Sequence, residues 1–371
     1  GKPSLLLTPE QAADVDLTSV REAAVLGLQR LEALDPGFSP FQETLLSQQA
    51  ETTLRDLQTP ETNERIDQSI VAFLALVSPH FDSKEAHLCL EYLIRHYKIY
   101  QYNVDAVVEC CLPWHDTVAF ARMVQLLNIK GTKWDFLEPV QRTGSPLPRE
   151  AIARRCSRDY GLLRFLCMSA RRSAKAAAAS GNSPSAQDES GDVSSTPVAS
   201  SVTASGRAKL FSFYAAVVIE ALGSLSSTNE SLLRALVPDV VHGLTSTRSP
   251  EYQMASYMIL SALSGKGPLA PDVTSAALEA LICKPCQGRL EPSLLCALAV
   301  VQSQIGFVSK KEPASKESKS TMMHLALPLA AFHRLSATES LPEVLAGLAH
   351  KFDAFAFLWL LLDSYIEHLS D

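Results

Sequence analysis

Cys283-Lys284-Pro285-Cys286 is a spacing that zinc binding or thiol exchange can use. A CxxC holds zinc when a second pair of thiolates or imidazoles completes the tetrahedron. Here only Cys296 follows, with no histidine near it, and no strand–helix–strand setting supports a redox pair. The histidines are His80, His87, His96, His115, His242, His324, His333, His350 and His368, and no two form HxxxH or HExxH. His115 follows Leu112-Pro113-Trp114 in a turn, where it can hydrogen-bond a helix end. The phosphate-cradling patterns GxGxxG and GxxxxGK[ST] and the nucleophile elbow GxSxG do not occur. Nothing brings a nucleophile, a base and an oxyanion donor together. The expectation is a protein that is not an enzyme and needs no metal, cofactor or small-molecule substrate.

The arginines are the other residues with recognisable chemistry. The chain has 371 residues and a formal charge of −7, unevenly spread. Gly1 to Gln141 carries −9 and Ala176 to Asp371 carries −5. Between them, Arg142 to Lys175 carries +7, from Arg142, Arg149, Arg154, Arg155, Arg158, Arg164, Arg171, Arg172 and Lys175. A guanidinium fork suits bidentate contact with phosphate or carboxylate. Arg149, Arg154, Arg155, Arg158, Arg171, Arg172 and Lys175 are therefore the candidate contacts to RNA or to a protein partner. A plain solvated face, or docking on the chain's own acidic part, stays open beside both. The overall negative charge argues against a protein that coats nucleic acid along its length.

The periodicity that must position these residues is helical nearly throughout. Thr8-Pro9-Glu10 reads as an N-cap with proline at the first helical position. Val20, Ala23, Ala24, Gly27, Leu28, Leu31 and Leu34 share one face, as do Ile66, Ile70, Phe73, Leu74 and Val77. Ser83, Asn103 and Asp116 read as further N-caps. A long basic helix is expected from about Arg149 to Lys175, with Leu162, Phe165, Leu166 and Met168 on its buried side. Helices then recur in pairs at 207–223 with 230–246, 250–264 with 272–283, 291–307 with 321–334, and 340–350 with 353–369. The stretch FDAFAFLWLLL, Phe352 to Leu362, is too short to span a bilayer and reads as a buried core helix. The eight cysteines lie mostly in apolar helical patterns and read as reduced, small hydrophobes.

This pattern predicts an all-α fold, an α-solenoid of degenerate HEAT- or armadillo-like helix pairs, with a compact all-α domain as the alternative. Three parts are expected. Residues 1–175 form an N-terminal helical-repeat segment. Residues 176–206, without aromatic, Leu or Ile, form a flexible low-complexity loop. Residues 207–371 form further repeats with a polar insert at 309–320. The chain opens on Gly1, so a piece of a longer protein is expected.

The stretch from Phe73 to Ile129 is distinctive. It contains Leu93-Ile94-Arg95 with Tyr97 and Ile99, Tyr102-Asn103 and Asp105. Cys111-Leu112-Pro113 with His115 and Thr117 follow, then Phe120, Arg122, Gln125-Leu126-Leu127 and Ile129. It resembles the N-terminal region of the HEAT-repeat-containing protein 1 family, whose fungal members are the tenth of the small nucleolar RNA-associated (Utp) proteins. Leu31-Glu32, Asp35-Pro36, Phe38, Pro139-Val140 and Gly144 support the likeness. The resemblance implies a non-catalytic scaffold of the nucleus and nucleolus, in the UtpA (t-UTP) subcomplex of the small-subunit processome. It further implies a role in pre-18S rRNA processing and a link to RNA polymerase I transcription of rDNA. Implied partners are other UtpA subunits, including WD40 propeller proteins, and the pre-rRNA 5′ external transcribed spacer, with no membrane. The alternatives are a generic HEAT/armadillo adaptor and a direct pre-rRNA-binding module.

Overall fold

Helix caps set the elements. In the computed structural model, which describes residues 2–52, 54–180, 197–311 and 327–369, every regular element is a helix. Thr8 and Gln11 form a reciprocal capping box on Pro9–Asp14. Asp16, Thr59 and Ser83 accept from the third backbone N–H of Leu17–Leu34, Pro60–Val77 and Lys84–Tyr97. Two expected caps are different. The Asn103 side chain makes no cap bond, because it is drawn into a buried polar cluster. Asp116 pairs with Lys209 instead, and Thr117 caps Val118–Leu126.

The chain divides into two compact units, and neither is one continuous stretch. The first comprises residues 1–155 and 172–213; the second comprises 156–171 and 214–371.

In the first unit, Leu17–Leu34 lies along Lys84–Tyr97 and buries Val20, Ala24, Leu28 and Leu31. Gly27 permits this approach, since a Cβ there would stand 2.7 Å from the Glu85 carbonyl oxygen. Pro60–Val77 buries Ile70, Phe73, Leu74 and Val77 of the expected face, leaves Ile66 half-buried, and packs on Val104–Cys111. Each such side chain contributes about 1.5–3 kcal/mol when fully removed from water.

Polar clips complete this unit. Buried Glu91 accepts from Ser4 Oγ (2.7 Å), Leu5 N (2.7 Å) and Arg95 Nε (2.6 Å). Arg95 reaches the Ala12 and Val15 carbonyls, and Arg122 the Leu7 carbonyl at 2.6 Å. These charges fasten the amino-terminal segment. Buried Arg55 donates to Asn103 Oδ1 and the Asp67 carboxylate, with its guanidinium 4.5 Å from the Tyr102 ring centroid.

In the second unit, Glu230–Leu244 packs on Pro250–Ser264, and Pro271–Cys283 packs on Leu290–Lys311 and Leu329–Ser336. Leu290–Lys311 also meets Pro250–Ser264 and Phe355–Leu369, so helix pairs share faces with their neighbours. This is the stacked-pair arrangement of an α-solenoid. Gly243 lies against Ser256, where a Cβ would fall 1.8 Å from Oγ. Amide clips tie successive turns: Gln253 Nε2 donates to the Leu244 and Lys284 carbonyls, both at 2.7 Å. Gln304 accepts from Leu269 N and donates to the Ser264 carbonyl. Leu290–Lys311 includes an 18-residue window long and apolar enough to cross a membrane by composition. Ser293, Leu294, Ala297, Val300 and Val301 of that window are buried in the unit, as in the core helix of a packed domain.

Three segments depart from expectation. The basic helix is two helices, Arg149–Arg158 and Tyr160–Ser180, because Asp159 Oδ1 accepts from Leu162 N (3.1 Å) and starts a new one. Residues 176–180 and 197–206, inside the stretch read as a loop, are helical, while 181–196 lie outside the described residues. Gly206 is buried there, where a Cβ would come 2.0 Å from the Pro79 carbonyl oxygen. Most of the polar insert at 309–320 also lies outside the described residues.

Candidate interaction surface

The fold sorts the nine basic residues between Arg142 and Lys175. Arg172, exposed on Tyr160–Ser180, is bidentate on Glu109 at 3.0 and 2.7 Å. Arg171 pairs with largely buried Asp239 at 3.3 Å. Arg155 stands 3.9 Å from Asp135 and 5.8 Å from the Phe136 ring centroid. Arg149 and Arg154 are exposed on Arg149–Arg158. Arg142, Arg158, Arg164 and Lys175 are exposed and make no ion pair among the described residues. Of the seven candidate contacts, Arg155, Arg171 and Arg172 thus carry ion pairs within the fold. Arg164, absent from that set, is open to solvent.

The buried side of the basic segment also differs. Leu162 and Leu166 are buried as expected, but Phe165 is half-buried and Met168 is 43% exposed. The break at Asp159 restarts the helical phase, so faces read through it do not line up.

The apolar stretch near the carboxyl end is a second surface. Phe357 and Leu360 are buried, but Phe355, Trp359, Leu362 and Ile366 form an exposed stripe on Phe355–Leu369, flanked by Leu358 and Tyr365. Exposure reaches 65% at Phe355 and 49% at Trp359. The expected fully buried helix is instead apolar all round, with one face covered.

The remaining chemistry is structural. Cys286 is buried and its Sγ donates to the Pro250 carbonyl, while Cys283 is half-buried. Burial pushes both thiols up, which keeps them protonated and poor as metal ligands or nucleophiles. Among the described residues no three His, Cys, Asp or Glu converge as a metal site would need. His115 Nδ1 lies 2.6 Å from the Leu147 carbonyl, and Leu147 N donates back to the His115 carbonyl. His80, His87 and His96 have lowered pKa values, chiefly because burial penalises the charged ring. A crevice lined by Asp35, His80, Ser173, Arg207 and Phe211 holds about 20 Å³, room for roughly one water.

Comparison with known proteins places this architecture. The family profile described as "U3 small nucleolar RNA-associated protein 10" matches residues 232–365, inside the second unit. Human HEAT repeat-containing protein 1 is 30% identical over 375 residues, which is 99% of this chain and 16% of that relative. The zebrafish protein of the same name is 34% identical over 268 residues, 71% of this chain and 11% of the relative. U3 small nucleolar RNA-associated protein 10 of Schizosaccharomyces pombe is 29% identical over 336 residues, 90% of this chain and 19% of the relative. The chain thus spans between about a tenth and a fifth of the length of these relatives. Stacked helix pairs with charged and apolar outer faces define a HEAT-type helical-repeat protein. This chain belongs to the family of HEAT repeat-containing protein 1 and U3 small nucleolar RNA-associated protein 10.

Proposed function

We propose that this chain is a helical-repeat part of a non-catalytic scaffold acting in nucleolar ribosome biogenesis, in the small-subunit processome. The observation that carries the reading is similarity along 99% of the chain to a HEAT-repeat relative, joined to a fungal relative named for association with U3 small nucleolar RNA. Stacked helix pairs suit that work: many modest contacts spread over a repeat surface give avidity without a deep pocket. Within the processome we assign it to the UtpA subcomplex, with WD40 propeller subunits as neighbours, and to the link between processing and RNA polymerase I transcription. Membership of a family with such names supports this placement. Of the basic residues first singled out, Arg158 and Lys175 remain the contacts we favour, because both are exposed and make no ion pair among the described residues, whereas Arg155, Arg171 and Arg172 are engaged with Asp135, Asp239 and Glu109.

The test is recovery from cells of the tagged chain. Nucleolar accumulation with co-precipitated U3 RNA and propeller subunits is the expected result. A diffuse distribution with transport or trafficking cargo would replace this reading with that of a generic adaptor.

A further inference from the structure

Arg158 ends the Arg149–Arg158 helix and Tyr160 begins the next, after the single residue Asp159. Along Tyr160–Ser180, Tyr160, Arg164 and Met168 stand one turn apart on one ridge, their Cβ atoms about 6 Å from one to the next. Arg164 and Met168 are exposed and Tyr160 is half-buried. All four residues belong to the second unit.

Three features set this ridge apart from an ordinary solvated helix face. First, the chain carries 40 acidic and 33 basic residues, and the fold pairs neighbouring Arg171 with a carboxylate. Arg158 and Arg164 have none among the described residues. Second, the nearest acid in sequence, Asp159, has one carboxylate oxygen committed to the Leu162 N–H, and Tyr160–Ser180 contains no acidic residue. Third, the Tyr160 hydroxyl accepts a 2.9 Å hydrogen bond from Asn229 Nδ2. That bond helps hold the ring in place beside Arg164.

An open guanidinium group one turn from a held aromatic ring, continued by an exposed thioether and preceded by a second open guanidinium group at the end of the preceding helix, matches the chemistry of a single-stranded nucleic acid. Arginine binds phosphate as a fork, and an aromatic face stacks an unpaired base. Duplex RNA hides its base faces and would leave the ring unused. An acidic protein segment would use the arginines but has no base to lay on the tyrosine.

We infer that the Tyr160–Arg164 ridge, with Arg158 from the end of the preceding helix, binds single-stranded RNA, through phosphate contacts from Arg158 and Arg164 and base stacking on Tyr160. This rests on reading the chain as part of an RNA-containing assembly, and it names the partner class and the residues.

The test measures fluorescence anisotropy of the 371-residue chain with a short labelled oligouridylate, and with an RNA duplex, across a salt series. Each phosphate contact contributes about 0.7 to the slope of log K against log salt for a single strand. Joint replacement Arg158→Glu with Arg164→Glu is expected to flatten that slope by about 1.4. Tyr160→Leu is expected to weaken single-strand binding about tenfold, leaving the salt slope and duplex binding unchanged. Tyr160→Phe, which keeps the ring, restores affinity. If the glutamate pair fails to fold by circular dichroism, Arg158→Gln with Arg164→Gln serves in its place.

Unchanged affinity in the arginine variants overturns the inference. So does polyglutamate displacing the RNA as well as oligouridylate does, with Tyr160→Leu having no effect; that result assigns the ridge to an acidic protein. The underlying reading fails separately, when the wild-type chain binds oligouridylate but recovers no U3 RNA from cells.

Discussion

At the scale of residues, the first unit is held by charges and imidazoles that burial makes demanding. His80, His87 and His96 are kept neutral, mainly by desolvation. A histidine whose pKa is lower folded than unfolded leaves stability intact above the unfolded value. Stability is then lost as pH falls below about 6.5, because the unfolded chain takes up the proton first. The thermal midpoint of the first unit should therefore drop between about pH 7.5 and pH 5.5, and His96→Gln should flatten that dependence in calorimetry. Glu91 is more severe. Glu91→Ala strands Arg95 and releases Ser4 and Leu5, at a cost of about 3–5 kcal/mol, measurable by urea denaturation. Thiol labelling under native conditions should modify Cys283 first, since the other seven cysteines are buried.

Some of this detail was legible and some was not. Thr8 and Ser83 cap because nothing competes for their side chains. Asn103 and Asp116 carry equally good capping groups, but Arg55 and Lys209, distant in sequence, engage them. A local signal cannot register a competitor brought in by tertiary folding.

At the scale of elements, helical periodicity placed most helices within a residue or two. It did not register Asp159 as a cap within a run of good helix formers, so two basic helices read as one long helix. Nor did the composition of 176–206 disclose Gly206, whose missing Cβ lets its helix meet the Pro79 backbone. Gly243 plays the same part against Ser256. Gly243→Ala should destabilise the second unit by about 1–3 kcal/mol, seen as a lower thermal midpoint, although alanine favours helix. The FDAFAFLWLLL stretch shows the limit of hydrophobicity as a burial signal. Apolar residues on every side establish that a helix is meant for coverage, not which faces are covered. Its open stripe should drive concentration-dependent self-association in sedimentation velocity. Trp359→Asp with Leu362→Asp should suppress that with little change in thermal midpoint, because both side chains are about half exposed already.

At the scale of the whole molecule, the all-α, paired-helix architecture was readable from spacing alone, and the family from the run of residues between Phe73 and Ile129, buried ones such as Tyr97 and Phe120 together with exposed ones such as Tyr102. The surface at Arg158–Arg164 was half readable. The excess of arginine stood out, but which guanidinium groups the fold would consume depended on Glu109, Asp135 and Asp239, far away in sequence.

The interleaving of the two units bears on how the chain is made. Residues 156–171 leave the ribosome ahead of residues 172–213, yet they belong to the later unit. The first unit therefore cannot finish until Phe213 has emerged, and the 156–171 stretch must wait for helices beyond Tyr214. Ser4 waits as well, for Glu91, which is 87 residues further on. At about 5–20 residues per second this leaves the amino-terminal segment undocked for some seconds. Segments of this chain thus emerge well before the helices that secure them, and nascent-chain factors have that interval in which to engage them.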